Sequence, residues 1–400
     1  MPINYQQVYD QVRHLVVDHQ LEQQELQRKQ TELDQTFTSF DLPSTEIERR
    51  VEIARRNDTG LRCAQPTEEH IHTNVPAPAL MPGIILIASD GSQIMPDRHS
   101  PARFGLINTG AIVMTLGSGD APDTMIESNL LPGDKLITEN GTPITDSMLG
   151  LMRDAEERIT LLRLVEQASQ PEKQVITLSD GPIELWGRKD GEEGAYFEQN
   201  LRKYLAALSQ IRDQGAWMAG YIDRPGANPV ARMLELTQAD DNALAEFKAY
   251  HPFEGVSDLW LFAQGAGRLL PGHRSCVFKM RSKAESDYSG SFEIHFFYIN
   301  VGASANEAQI ARVEVPAWVA MDETALGQAH RCILDQCSLL GARPFPYLLH
   351  RAHEIAVVSQ QDKLQIEEYF QIESLNVQAG LGVASNKQIA KNAAGRSRYQ

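Results

Sequence analysis

The chain has 400 residues, 42% of them hydrophobic and 22% charged, with a formal net charge of −16. This is the composition of an ordinary globular protein, long enough for one large domain or two modest ones. No apolar run reaches the roughly 18 residues that span a bilayer, and the polar start "MPINYQQ" lacks a signal-peptide core, so a cytoplasmic protein without membrane contact is expected. The negative charge excludes a uniform coat of nucleic acid, although phosphate contacts need only a local basic stripe.

Residues 4 to about 35 are predicted to be helical, with Val8, Val12, Leu15, Val16 and His19 at 3-4 spacing. The continuation "EQQELQRKQTELDQ" is too polar for a core helix and is expected to project or to meet another chain. A second helix is predicted over 45–57, capped by Thr45 with Glu48 completing a capping box. "NDTG", "HIH" and "VPAPALMPG" then read as a linker, placing a boundary near residue 80. The expected division is an N-terminal helical region and linker, 1–80, and a main domain, 81–400.

"GIILIAS" reads as a strand and "RFGLINTGAIVMTLGSG" as further strand structure. A helix over 147–169 follows, with Met148, Met152, Ala155, Ile159 and Leu162 as its apolar stripe. "QVITLS" is a buried strand, 193–214 a helix and "WMAGYI" a third central strand. This order indicates an α/β sheet with parallel neighbours. Residues 291–300 and 308–315 form a long hairpin, and helices run to the C-terminus through "ETALGQAHRCILDQC", "YLLHRAHEIAVV" and "DKLQIEEYFQ". Cys63, Cys276, Cys332 and Cys337 contain no CxxC pair, so buried free thiols are expected.

Asp90-Gly91 and Asp180-Gly181 each close an apolar strand. Asp-Gly is an ordinary turn pair, but in an α/β sheet ligands bind at the carboxyl ends of strands. If the two strands are neighbours, the carboxylates converge and a hard divalent cation is the ordinary remedy for their repulsion. The helix between them offers Glu156 and Glu157. Relative to the apolar stripe these lie about 80° and about 180° round the helix, which favours Glu156 without settling the choice. His353 is a candidate metal ligand or water-orienting group, with His350 competing for the role. Two basic stretches stand out, Lys279–Lys283 around Arg281 and a tail carrying Lys387 and Lys391.

The segments "SDGSQI", "RDAEER", "LSDGPIELW", "FFYINVG", "IARVEVPAWVA", "PFPYLLHRAHEIAVVS" and "SNKQIAK", in that order, resemble the NurA-type DNA-repair nucleases, a family with a ribonuclease H-like fold. The resemblance runs over about residues 81 to 391 and implies an α/β mixed sheet flanked by helices. It further implies a manganese- (or magnesium-) dependent deoxyribonuclease that processes broken DNA ends from the 5′ side, with single-strand endonuclease activity left open. Asp90, Asp180, His353 and either Glu156 or Glu157 become its catalytic and metal-site set, with Asp90 bridging. The expected partners are DNA, a HerA-type hexameric translocase and a second copy of the chain, the two copies forming a ring whose lumen Arg281, Lys387 or Lys391 would face as DNA-binding residues. Two positions depart from the family pattern: Phe345 stands where a tyrosine is frequent, with Tyr347 as nearest substitute, and Pro182 follows the second Asp-Gly. They raise the alternative of a catalytically degenerate ring subunit acting as a DNA clamp or translocase adaptor. "GSGD" is too short for a phosphate loop, which removes the sugar-kinase-like relatives.

Overall fold

The computed structural model describes residues 3–96, 103–138, 140–170, 172–304 and 307–380. Among these, eleven strands form one mixed sheet. They are β1 (Cys63–Pro66), β2 (Val75–Pro76), β3 (Ile84–Ile94), β4 (Gly105–Thr115), β5 (Asp123–Leu131), β6 (Gln174–Asp180), β7 (Trp217–Asp223), β8 (His273–Arg274), β9 (Phe278–Arg281), β10 (Ile294–Asn300) and β11 (Ile310–Pro316). Their main order is β1-β9-β10-β11-β7-β6-β3-β4-β5, with β8 beside β10 and β2 beside β8. The meander β3-β4-β5 is antiparallel, whereas β6 runs parallel to both β3 and β7. A meander, a helix, a parallel strand, a helix and a further parallel strand make the ribonuclease H-like arrangement. The expected hairpin is β10-β11, paired from Ile294–Pro316 to Asn300–Ile310.

The helices are α1 (Tyr5–Thr38), α2 (Ser44–Arg55), α3 (Asp146–Ala168), α4 (Gly191–Asp213), α5 (Pro229–Gln238), α6 (Asp241–Ala245), α7 (Asp258–Ala263), α8 (Ala317–Ala320), α9 (Glu323–Ser338), α10 (Tyr347–Ala356) and α11 (Gln360–Gly380). Successive strand residues point to opposite faces, and β3 separates the two layers accordingly. Ile85 and Ile87 pack with Leu161, Val165, Ala207 and Ile211 of α3 and α4. Leu86 and Ala88 pack with Ala329 and Ile333 of α9 and with Leu349 and Ala352 of α10. No helix among the described residues is long and apolar enough to cross a membrane.

The N-terminal region differs from its expected form in three ways. First, the predicted linker contains β1 and β2, which pair with β9 and β8. The prolines sit where a strand edge tolerates a missing N–H. Second, the polar continuation of α1 is the part that docks: Leu33 and Phe37 are fully buried and Leu26 partly so, while Val8 and Val12 are exposed. Three apolar residues at spacings of seven and four are enough for a narrow seam. Third, Thr45 does not cap α2, because Pro43 occupies the cap position and the Ser44 hydroxyl donates instead to the Pro66 carbonyl at 2.8 Å. Leu33, Phe37, Ile47 and Val51 share one core with Val230, Phe262, Phe278 and Phe296, so segments on either side of residue 80 are packed together. All four cysteines are buried and free.

One buried carboxylate ties this core together. Asp258, fully buried, accepts from the Val230 and Ala231 amides at 2.8 Å each and from the Tyr298 hydroxyl at 2.6 Å. It thereby satisfies the start of α5 from another helix. Burial pushes its carboxyl up to about 6 against those three donors. Replacing it with alanine leaves three buried donors unpaired, and we expect Asp258→Ala to lose about 3 kcal/mol of stability in urea unfolding. A loss below about 1 kcal/mol would contradict the role given to it.

Candidate active site

Asp90 lies in the middle of β3, opposite Gly110 of β4, and β3 is joined on its other side to β6 through Ser89–Ser179. Asp180 ends β6 and Asp223 ends β7, so adjacent strands deliver carboxylates to one edge of the sheet. The predicted adjacency of the two Asp-Gly strands is therefore present, and it follows from the parallel crossover that α3 makes.

His353 reaches Asp90 from α10, its Nδ1–H donating to Asp90 Oδ2 at 2.6 Å. What places α10 is a close approach of backbone to sheet. A Cβ on Gly110 would lie 2.5 Å from the Ala356 nitrogen and 2.8 Å from the Ile355 carbonyl carbon. Only glycine admits the helix at that depth. The last carbonyl of α10, Ala356 O, accepts from Asn108 Nδ2 at 2.7 Å and from the Ser92 hydroxyl. Asn108 is fixed in turn by Ser128, whose hydroxyl donates to its Oδ1 at 2.6 Å. His350 does not compete, since its Nε2 faces Glu354 at 3.4 Å.

The opposite face of β3 carries α3. Gly91 has no side chain, and a Cβ there would lie 2.7 Å from Glu157 Oε1 and 2.6 Å from Arg153 Cγ. Glu157 thus drops onto the strand next to Asp90, with its backbone carbonyl receiving the Ser89 hydroxyl at 3.1 Å. Glu156, which helix geometry favoured, turns instead toward Arg163, the partner of Glu127 on β5. The reason is that α3 buries two faces. Thr160, Leu161 and Leu164 meet the sheet in addition to Met148 and Ala155, and Glu157 stands three and four residues before Thr160 and Leu161.

These carboxylates disturb one another. Burial, then the charges of Asp154 and Asp90, pushes the Glu157 carboxyl up to about 8. Asp180 is raised by partial desolvation and by Asp90, although its side chain reaches the rim. Arg153 counters them: its Nε lies 3.4 Å from Glu157 Oε1 and its Nη2 2.7 Å from Asp154 Oδ1. Sequence reasoning passed over Arg153, Asp154 and Asp223. The first two lie within the quoted "RDAEER", one helical turn before Glu157, and Asp223 closes "YID" as a strand-end aspartate beside Asp180.

The other expected positions are distributed as follows. Arg281 is 4% exposed and held by Glu285, Gln65 and Glu52 at 2.9, 2.6 and 2.8 Å. It is a buried cation of the β1-β9 edge, which corrects its expected place in a DNA channel. Lys387 and Lys391 lie outside the described residues. The Phe345 ring stands edge-on to Tyr221 with centroids 5.5 Å apart, filling space where a phenol was expected, while Tyr347 begins α10 half-buried.

Whether this set suits a divalent cation can be judged from its donors. Asp90, Asp180 and Glu157 are hard oxygen ligands whose mutual repulsion a cation would relieve. Among the described residues no three such side chains are already gathered to hold an ion, and Asp90 Oδ2 is occupied by His353. The donor chemistry suits a hard divalent cation.

A family model described as the NurA domain matches residues 85–358, a span running from β3 to just beyond α10. Among solved structures, the chain is similar to the NurA nuclease from Sulfolobus solfataricus, at 12% identity over 95% of this chain and 99% of that one, with a TM-score of 0.49. A NurA structure with manganese matches at 12% identity over 90% and 96%, TM-score 0.33. The catalytic domain of human endonuclease V matches at 14% identity over 82% and 97%, TM-score 0.28. No curated protein matches the sequence.

Two outcomes test the geometry. Gly110→Ala should destabilise the protein by about 2 kcal/mol, because helix backbone stands where the methyl must go; a change within about 0.5 kcal/mol would refute that contact. For Glu157, a carboxyl raised on folding means that the folded state holds a proton which the unfolded state releases. Without metal, stability should therefore fall as pH rises from about 4.5 to about 8. Glu157→Gln should flatten that part of the urea-unfolding profile, and an unchanged slope would show that Glu157 is not raised.

Proposed function

The chain belongs to the NurA family, and on that premise we propose that it is a divalent-metal-dependent deoxyribonuclease acting on DNA ends. The observation that carries this reading is that Asp90 lies within electrostatic reach of both Asp180, on the neighbouring parallel strand, and Glu157, on the connecting helix, with His353 bonded to it at 2.6 Å. We assign Asp90, Asp180 and Glu157 as the residues that would hold manganese or magnesium, and Glu156 is left out. A cation bound there would activate water and offset charge developing on the scissile phosphate.

The chain's own residues do the rest. His353 fixes the orientation of Asp90 through the 2.6 Å bond between them. Arg153 keeps the carboxylates from repelling the helix away from the strand. The family resemblance further supports 5′-end processing in break repair, a cytoplasmic location, a HerA-type translocase as partner and a ring of two copies. An apolar surface at the outer edge of the sheet supports the second copy as a partner. Ile126 and Leu130 of β5 and Tyr369 of α11 are exposed there, around a groove of about 700 Å³. Phe345 favours a second reading, a ring subunit without cleavage activity, because its ring offers no hydroxyl at the position where the family often has a phenol.

With end-labelled DNA and manganese, Asp90→Asn and Asp180→Asn should each lower cleavage at least about 100-fold while the melting temperature without metal holds or rises. Calorimetric titration should show weaker manganese binding in Glu157→Gln than in Glu156→Gln. Full cleavage by Asp90→Asn would end the assignment, and absence of cleavage by the unaltered protein would select the second reading.

A further inference from the structure

The loop after Asp180 is built to hold one aromatic side chain outward. Ile183 and Leu185 point inward, their amides donating to Glu314 Oε2 at 3.0 Å and to the Tyr288 hydroxyl at 2.8 Å. Gly187 is pinned to α4, since a Cβ there would lie 2.6 Å from the Phe197 ring. Between these anchors Trp186 is 57% exposed. The chain has four tryptophans, and the other three are half-buried. An exposed indole on fixed backbone has little conformational entropy left to lose on binding.

One neighbour of that indole is a cation held in place. The Arg62 guanidinium lies 4.9 Å from the Trp186 ring centroid, is bonded to Glu184 and faces Glu314 at 3.9 Å. Arg62 also walls a hollow of about 500 Å³ together with Ala227, Asn228 and Pro229, the segment that leaves β7. That segment begins at Arg224, an exposed arginine with φ of +42° and no ion pair among the described residues. A left-handed arginine is strained, and such strain gathers at functional sites. Arg188, two residues past Trp186, is also open, its side chain 76% exposed and 3.8 Å from Glu193. In a chain of net charge −16, two open arginines and an open indole lie on the loops that leave the Asp180 and Asp223 strand ends.

We infer that Trp186 is a stacking platform for a base of an unpaired DNA strand entering at Asp180, with Arg188 and Arg224 contacting that strand's phosphates. The inference rests on the nuclease reading above. Aromatic faces accept any base, and arginines beside them track the backbone, which is how single strands are held without sequence preference. A duplex keeps its bases stacked on one another and cannot use the indole.

The test uses the full chain carrying Asp90→Asn, with fluorescent oligothymidylate and a blunt duplex as probes. Trp186→Ala should weaken oligothymidylate binding about tenfold and leave duplex binding nearly unchanged, while Trp186→Phe retains most of the affinity. Oligothymidylate should quench the intrinsic fluorescence, and the quench should disappear in Trp186→Phe. Arg224→Ala should lower the slope of log affinity against log salt by about one. Equal loss on both probes, or unchanged affinity in Trp186→Ala with the quench intact in Trp186→Phe, overturns the inference. If the unaltered protein cleaves and binds DNA while Trp186→Ala behaves identically, the inference alone fails. If neither cleavage nor binding is seen, the nuclease reading fails with it.

Discussion

Two missing side chains govern the candidate site. Gly91 and Gly110 lie on neighbouring strands, one facing α3 and the other facing α10, and each lets a helix approach closer than any Cβ allows. Asp90 sits between them, opposite Gly110 and preceding Gly91. Because strand side chains alternate, the carboxylate of Asp90 shares its face with α10 and His353, while the bare position beside it receives Glu157 from the other face. The sheet thus brings groups from both of its layers to one point, and neither helix could shift without opening that point.

Such crowding has an electrostatic cost. Burial, then the charges of Asp154 and Asp90, raises the Glu157 carboxyl, and burial, then Asp90, raises that of Asp180. Arg153 offsets part of it. A fold selected only for stability would have placed apolar residues at these strand ends, since packed hydrophobic groups usually outperform buried charges. Retained repulsion at the carboxyl edge of a parallel pair does not support the sheet.

The rest of the molecule disposes of its charge differently. Arg281, Arg274 and Arg232 are buried or nearly so and are each matched to glutamates: Glu285 and Glu52, Glu69, and Glu235. They bind the β1-β9 edge, the β8 turn and the α5 region into the core that the N-terminal helices complete. Arginines near the strand ends, Arg188 and Arg224, are left open. Linear spacing does not separate these two groups, because the difference lies in which partner the folded chain brings near. Arg281 looked like a lumen cation in "KMRSK" for that reason.

Much of the fold was legible from local pattern. The apolar runs of β3, β6 and β7, the hairpin β10-β11 and helices α3, α4, α9 and α10 follow from periodicities of 2 and 3.6, which are properties of the backbone. Asp90, Asp180 and the histidine of α10 were visible because residue type and element position are both linear information, but only Asp180 ends its strand: Asp90-Gly91 is not a turn, since pairing with β4 carries β3 on to Ile94. Two other matters were decided only in three dimensions. The rotation of α3 about its axis set Glu157 against Gly91 of β3, because that helix packs on two surfaces and its apolar stripe is too broad to give one direction. The docking of the polar half of α1 and the strands hidden in the proline-rich segment depended on partners far along the chain, Arg281 opposite Cys63 and His273 opposite Pro76, which no local window contains. Sequence supplied the groups and their elements; rotation, depth of approach and distant pairing came from packing, where a few glycines set how close the layers could come.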